Sequence, residues 1–413
     1  MLLQFNVTNA LSFKNEAILD LAATSDKSHE DNLITYRKER VLPTVAIYGA
    51  NAAGKSNLFK ALASAIYFVR NSQNMQIDSK ISVIPFLMDD EGKNGKTRFD
   101  FIYVYDGIKY EYGFVADTDR VYEEYLYAYK SSKPSLIFER TEVTKYRYTT
   151  TLRKTLRQYE SKNTENKLFL STATVWNCKE TESAFRWFSE MIDPYSSEEM
   201  RLRIGDIIKA DKDGTFRETA VKLLKSADFN ISDYKLSVKE VHANIPLPPG
   251  ISFDDEVLEH LKSYEIQVFH DVEHNGEIHK TPLPFNAESD GTQLYFLYIP
   301  AIIRALKEGR TIVIDEIDNG LHPMIVRQLV ELFNDPDTNP NGAQLIFNTH
   351  DIDLLDLELL RRDQIYFVEK NNKTGESDLY ALSDFSPRKN EKIQKGYMLG
   401  RYGAIPNLGG IDW

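Results

Sequence analysis

Two stretches of this chain carry residues of the types and spacing that handle phosphate. Gly49-Ala50-Asn51-Ala52-Ala53-Gly54-Lys55-Ser56 fits the pattern G-x-x-x-x-G-K-[ST]. Its small residues let successive backbone N–H groups turn toward one anion, and a helix that starts there adds the positive end of its dipole. Lys55 supplies a point charge for the β- and γ-phosphates of a nucleotide, and Ser56 offers a hydroxyl to Mg²⁺. Asn51, Ala52, Ala53, Gly54, Lys55, Ser56 and Asn57 are the candidate nucleotide ligands. The second stretch, Thr311-Ile312-Val313-Ile314-Asp315-Glu316, is a β-branched apolar run that ends in two carboxylates. A buried parallel strand delivers Asp315 to the phosphate-loop side of a sheet, where it joins Ser56 as a metal ligand. Glu316 is then set to orient or activate an attacking water.

Two further segments extend the set. Gln344-Leu345-Ile346-Phe347-Asn348-Thr349-His350 is another apolar strand, ending on a histidine able to contact a γ-phosphate or its attacking water. Taken singly, a histidine at a strand end is more often structural. Glu288-Ser289-Asp290-Gly291-Thr292-Gln293 precedes an apolar helix, so Ser289 and the Gly291 amide are placed for a second anion site at a helix N-terminus.

These groups need a sheet to hold them. Val45–Tyr48 enters the loop as a buried strand, and Leu58, Leu62, Ile66 and Val69 give the departing helix an apolar stripe. Leu294–Leu306 and Met324–Phe333 read as helices, and Thr311–Ile314, Gln344–Asn348 and Gln364–Glu369 as strands. That alternation predicts a mainly parallel, doubly wound α/β sheet with ligands at the carboxyl ends of its strands.

Around this frame the sequence predicts an edge hairpin at Leu3–Phe13 and a strand at Ala17–Leu21. It predicts an antiparallel β-block of Arg98–Tyr105, Ile108–Val115, Val121–Tyr129 and Ser135–Arg140, packed on one edge of the nucleotide sheet, with Asp106-Gly107 as a hairpin turn. The tyrosines that alternate along that block read as cross-strand pairs rather than a base-stacking platform. Helix spacing at Leu152–Tyr159, Glu180–Ile192, Glu198–Ile208, Thr215–Ser226 and Asp255–Tyr264, broken at Pro246, Pro248, Pro249 and Gly250, predicts an inserted, mainly helical lobe. The expected division is therefore residues 1–150, the helical insertion 151–263, and residues 264–413.

Composition narrows the class. The 413 residues include 62 acidic and 50 basic side chains, a net charge of -12, which argues against a protein that coats nucleic acid. Short basic clusters at Arg153-Lys154 with Arg157, at Arg201 with Arg203, and along Arg388, Lys389, Lys392, Lys395 and Arg401 read as solvated faces that leave DNA as a possible partner. No long apolar run predicts a membrane span and Met1–Asn6 does not begin a signal peptide, so the expected compartment is the cytoplasm. The single cysteine, Cys178, excludes an internal disulfide framework. His270, His274 and His279 cluster too loosely for a metal site of fixed geometry.

In their order, these motifs resemble those of ABC-type ATPases. Within that group, Phe5–Phe13, Tyr48–Asn57, Glu288–Gln293, Val313–Pro323 and Tyr397–Pro406 look most like the SMC/RecF/OLD-like branch, and especially the compact ATP-binding proteins of prokaryotic phage-defence and abortive-infection systems. The resemblance implies an ABC-type ATPase head that uses ATP and Mg²⁺. It implies two heads face to face, as a homodimer or higher homo-oligomer, with the nucleotide between the phosphate loop of one and Ser289 and Gly291 of the other. It makes Glu316 and His350 the catalytic pair and puts Asp318 in the loop that crosses the interface. The implied role is a sensor or scaffold in antiviral defence that controls a separate effector, a nuclease or toxin. The alternative is a RecF-like DNA-repair or chromosome-associated ATPase that binds DNA. Here the family's Leu-Ser-Gly-Gly-Gln is Ser289-Asp290-Gly291-Thr292-Gln293 after Glu288, and the family's glutamine loop has no direct match, with Gln73, Gln76 and Met88-Asp89-Asp90 as the candidates for its place.

Overall fold

The computed structural model describes residues 1–196, 199–200, 203–212, 214–240, 262–388 and 391–406. The chain divides into two compact units, one of Met1–Ser196, Arg304–Asp318 and Leu329–Trp413, the other of Ser197–Ile303 and Asn319–Gln328. In chain order the strands are β1 (Leu2–Thr8), β2 (Ala17–Asp20), β3 (Ile34–Tyr36), β4 (Glu39–Val41), β5 (Thr44–Tyr48), β6 (Thr97–Tyr105), β7 (Ile108–Ala116), β8 (Val121–Tyr129), β9 (Ser135–Thr141), β10 (Lys145–Tyr148), β11 (Ile192–Ser196), β12 (Ile231–Glu240), β13 (Lys262–His274), β14 (Glu277–Pro284), β15 (Thr311–Asp315), β16 (Gln344–Asn348), β17 (Ile365–Lys370) and β18 (Ser377–Ala381).

The first unit is built on two sheets. A six-stranded sheet runs β11-β15-β16-β5-β17-β18. Its first five strands pair parallel, and β18 closes it antiparallel on β17. Every residue of β5 and β16 is buried, as a parallel strand covered on both faces requires. Because β15, β16 and β5 are consecutive neighbours with one direction, their carboxyl ends open on the same edge. The helix Lys55–Asn71 leaves that edge after β5 and buries Leu58, Leu62, Ile66 and Val69.

The other sheet is antiparallel, in the order β10-β9-β8-β7-β6-β1-β2. The expected antiparallel β-block is present as a sheet of its own, which β1 and β2 extend. It shares one apolar core with the loop helix, where Phe68 meets Phe114 edge-on at 5.6 Å. Strand β1 is also not an edge strand, since β2 and β6 flank it. Gln344 at the start of β16 ties the two sheets: its Oε1 accepts the Leu2 N–H at 2.6 Å and its Nε2 donates to the Leu2 and Leu42 carbonyls. The tyrosine pattern does make cross-strand pairs: Tyr103 lies opposite Tyr110 with the rings stacked at 5.5 Å.

The second unit contains the helices Ile204–Ala210 and Gly214–Ser226 and a three-stranded antiparallel sheet, β12-β13-β14. Its core joins Tyr234 of β12 to Phe296 at 5.1 Å and Phe285 to Phe296 at 5.2 Å. These boundaries differ from the expected 1–150, 151–263 and 264–413. Residues 151–196 belong to the first unit, because Phe169, Leu170, Trp187 and Phe188 are buried in that unit's core. Residues 264–303 fall in the second unit. The helix expected at Asp255–Tyr264 lies outside the described residues up to 261, and from Lys262 the chain is strand. Pro246, Pro248, Pro249, Gly250, Arg201 and Lys389 lie outside them as well. Among the described residues no helix is long and apolar enough to cross a membrane.

Candidate functional site

At the carboxyl end of β5 the chain turns through Gly49–Gly54 and enters the helix Lys55–Asn71. The turn requires its glycines. A Cβ on Gly49 would strike the Val368 carbonyl, and one on Gly54, whose φ is +118°, would sit 2.5 Å from Ser377 Oγ and 2.7 Å from Ser12 Oγ. Two segments far apart in sequence brace the loop. Ser377 Oγ donates to the Ala53 carbonyl at 2.6 Å and Asn57 Nδ2 to Ser12 Oγ at 2.9 Å, while the Ser377 N–H reaches the Ser12 carbonyl. No side chain caps the first turn of the helix, so its leading N–H groups face whatever the loop binds.

Lys55 is 6% exposed, and its ammonium donates to the Gly49 and Ala50 carbonyls at 2.8 and 3.2 Å. Burial lowers its pKa to about 8, against the opposing pull of Asp318, Glu316 and Asp315. Those three carboxylates come from β15 and the turn after it. Asp315 ends the strand, and Glu316 follows in a left-handed backbone conformation, φ +56°, which costs a non-glycine residue about 1 kcal/mol or more. Asn348, fully buried at the end of β16, holds that turn. Its Nδ2 donates to Asp315 Oδ1, its Oδ1 accepts the Glu316 N–H at 2.6 Å, and its carbonyl accepts the Ile317 N–H.

His350 is exposed two residues further on, its own N–H bonded to Asp318 Oδ2 at 3.0 Å. Its pKa is lowered, first by partial burial and then by the Lys55 charge, while Asp318 and Glu316 act the other way. The imidazole is therefore biased toward its neutral form near neutral pH, able to donate from one nitrogen and accept at the other. Asp318 Oδ1 is buried and has no hydrogen-bond partner among the described residues. The first unit thus brings the phosphate loop, Lys55, Ser56, Asp315, Glu316 and His350 to one sheet edge.

Ser289 and Gly291 belong to the second unit. Ser289 is exposed and caps the helix Asp290–Glu308: its Oγ accepts the Thr292 N–H at 3.1 Å and lies 2.7 Å from Thr292 Oγ1. Gly291 abuts the Gly320 carbonyl so closely that any Cβ there would collide with it.

A triphosphate fits this donor set. The loop offers uncapped N–H groups at a helix start, a buried ammonium whose partners in the loop are carbonyls, and a Ser56 hydroxyl near a strand that ends in Asp315. A divalent cation suits oxygen ligands of that kind. A family profile described as "AAA domain, putative AbiEii toxin, Type IV TA system" matches residues 45–356. The chain belongs to this family.

No curated protein matches this AAA-domain protein. Among solved structures, it is similar to the SMC head domain from Thermotoga maritima at 13% identity and a TM-score of 0.41, over 92% of this chain and 98% of that one. An Smc head domain with an extended coiled coil, bound to the C-terminal domain of ScpA and derived from Pyrococcus furiosus, aligns at 10% identity and a TM-score of 0.39 over 93% and 97% of the two chains. The cbiO1 protein from Clostridium perfringens, part of the ABC transporter complex cbiONQ, aligns at 12% identity and a TM-score of 0.30 over 90% and 94%.

In this AAA-domain protein, three site residues escape a reading by motif: Asn348, Ser12 and Ser377. Asn348 leaves a trace, a lone amide closing an otherwise apolar strand. The two serines leave none, because each acts on a loop distant in sequence. Of the positions weighed for a glutamine loop, Asp89 is engaged elsewhere, capping the short helix Asp90–Lys93 and pairing with Lys14 at 2.7 Å. The backbone carbonyls of Gln73 and Gln76 accept Lys167 Nζ and Asn166 Nδ2, while the buried side-chain oxygen of Gln73 has no hydrogen-bond partner among the described residues. His270 pairs with Glu288, and among the described residues no group of three or more His, Cys, Asp or Glu is arranged to hold a metal.

Proposed function

We propose that this protein binds and hydrolyses ATP with Mg²⁺, holds the nucleotide between two copies of itself, and serves as an ATP-driven sensor or scaffold in anti-phage defence that controls a separate effector. The observation that carries the ATPase reading is the convergence of Lys55, Asp315, Glu316, Asn348 and His350 on the edge where β5, β15 and β16 end. The family description, with its toxin and toxin–antitoxin terms, supports the defence reading.

In this reading the N–H groups of Asn51–Ser56 and the Lys55 ammonium grip the β- and γ-phosphates. Ser56 and Asp315 would hold Mg²⁺, which when bound neutralises charge on the phosphate oxygens. Glu316 orients the attacking water and takes its proton, its position fixed by Asn348. His350, biased to neutral, offers a hydrogen bond to the γ-phosphate or to that water. Ser289 and the Gly291 N–H of the second copy reach the same γ-phosphate, so ATP favours the closed pair and hydrolysis releases it.

The test is mass in solution, with and without ATP and Mg²⁺, for wild type and Glu316→Gln. Nucleotide-dependent association trapped by Glu316→Gln and released by wild type is the expected result. A protein that stays monomeric with ATP would remove the role given to Ser289 and Gly291.

A further inference from the structure

The residue before the Ser289 cap is a carboxylate. Glu288 is 9% exposed, and its Oε1 lies 2.7 Å from Nε2 of His270, which is 19% exposed. Its backbone carbonyl accepts Gln293 Nε2 at 2.8 Å, which folds Glu288 against the first turn of Asp290–Glu308. His270 sits where β13 is paired on both sides, opposite Ile231 of β12 and Thr281 of β14, so the ladder fixes its backbone.

A carboxylate at a helix start is drawn to the same positive end of the dipole, and to the same free N–H groups, as a phosphate is. Glu288 is therefore a built-in competitor for the N-terminus that carries Ser289 and Gly291. We propose that His270 is a positioning residue for ATP-driven association. By engaging the Glu288 carboxylate it keeps that charge off the helix N-terminus and leaves Ser289 and the Gly291 N–H open to the γ-phosphate held by a second copy. The proposal rests on the reading that the nucleotide lies between two copies, and it adds a residue that the phosphate-loop motifs do not include.

Removing the imidazole frees the carboxylate to turn toward the helix start and oppose the incoming phosphate, a like-charge effect at short range. Association of His270→Ala in the Glu316→Gln background should weaken about tenfold, a size typical of one misplaced charge near a surface. The double change His270→Ala with Glu288→Gln removes the competing charge and should restore association to within about twofold, because the harm came from the carboxylate and not from lost packing.

The experiment is mass photometry of four proteins with ATP and Mg²⁺, all in the Glu316→Gln background: the background alone, His270→Ala, Glu288→Gln and the pair. Thermal melting and binding of a fluorescent ATP analogue to single protomers report that each variant is folded with a working phosphate loop. Weakening by His270→Ala and recovery in the pair support the proposal. Unchanged association in His270→Ala, or no recovery in the pair, overturns the role of His270 and leaves the two-copy reading standing. A background that does not associate with ATP overturns both.

Discussion

The side-chain oxygen of Asn348 accepts the backbone N–H of Glu316 at 2.6 Å. Glu316 holds a left-handed conformation that few residue types adopt, so something must hold it there, and this hydrogen bond comes from a fully buried side chain on the neighbouring strand. The same amide donates to Asp315. One side chain thus fixes both the candidate metal ligand and the candidate base. Asn348→Leu should leave nucleotide binding by the loop within about threefold of wild type and lower single-turnover hydrolysis about a hundredfold, the effect of a misplaced reacting group. Turnover within twofold of wild type would show that Glu316 finds its position unaided.

Lys55 gives binding a pH signature. With its pKa lowered to about 8 by burial, the free loop holds a largely neutral lysine in mildly alkaline solution. A polyphosphate beside the ammonium favours the charged form and raises that value. Binding at about pH 8.5 should therefore take up roughly 0.7 of a proton, and uptake should shrink as pH falls well below the free value, where the lysine is charged in both states. Calorimetry in two buffers of different ionisation enthalpy measures this directly. Identical heats at that pH would contradict it, and Lys55→Met should abolish the buffer dependence together with tight binding.

The nucleotide core is legible because its signals are local. Apolar runs that end in Gly49, in Asp315 and in His350 mark three neighbouring parallel strands, and Asp106-Gly107 marks a hairpin whose two turn residues do take φ of +51° and +70°. What escaped depends on distance. The helix Phe169–Val175 is short and rich in β-branched residues, and its first N–H groups are satisfied by Glu124 from β8, at 2.6 Å to Phe169 and 2.9 Å to Leu170. No window around residue 169 contains that cap. Strand β11 includes Pro194, which argues against a strand in the middle of a sheet, yet β11 is the edge of the order, where a missing N–H is tolerated. At the site, Ser12 and Ser377 brace the phosphate loop from the two ends of the chain, and only the folded topology brings them to it.

Gln344 makes a stability prediction. Both of its amide atoms are buried and used: Oε1 by the Leu2 N–H and by the Thr311 hydroxyl at 2.9 Å, Nε2 by the carbonyls of Leu2 and Leu42. Gln344→Leu keeps the volume and leaves those backbone groups without partners where water does not reach. The expected loss is about 2–4 kcal/mol, the sum of more than one unsatisfied buried group. Denaturant unfolding followed by tryptophan fluorescence measures it. A loss below about 0.5 kcal/mol would mean that the two sheets do not depend on this link.

Tyr48, the residue before Gly49, makes the opposite one. It is 1% exposed, its ring meets Phe367 and Tyr397 at 6.3 Å each, and its hydroxyl has no hydrogen-bond partner among the described residues. Burial, then the charges of Asp351 and Asp318, hold its pKa well above the ordinary tyrosine value, so the hydroxyl stays protonated at any working pH. An unsatisfied buried hydroxyl costs about 1–3 kcal/mol, whereas the ring contacts survive its removal. Tyr48→Phe should therefore leave stability unchanged or raise it by about 1 kcal/mol, with nucleotide binding intact, since no phosphate ligand is altered. The midpoint of urea unfolding reads the sign. A loss of more than about 1 kcal/mol would show that the hydroxyl is bonded in solution, through a water that also reaches the unpartnered oxygen of Asp318, and would make Tyr48 part of the support beneath His350 rather than a passive member of the core.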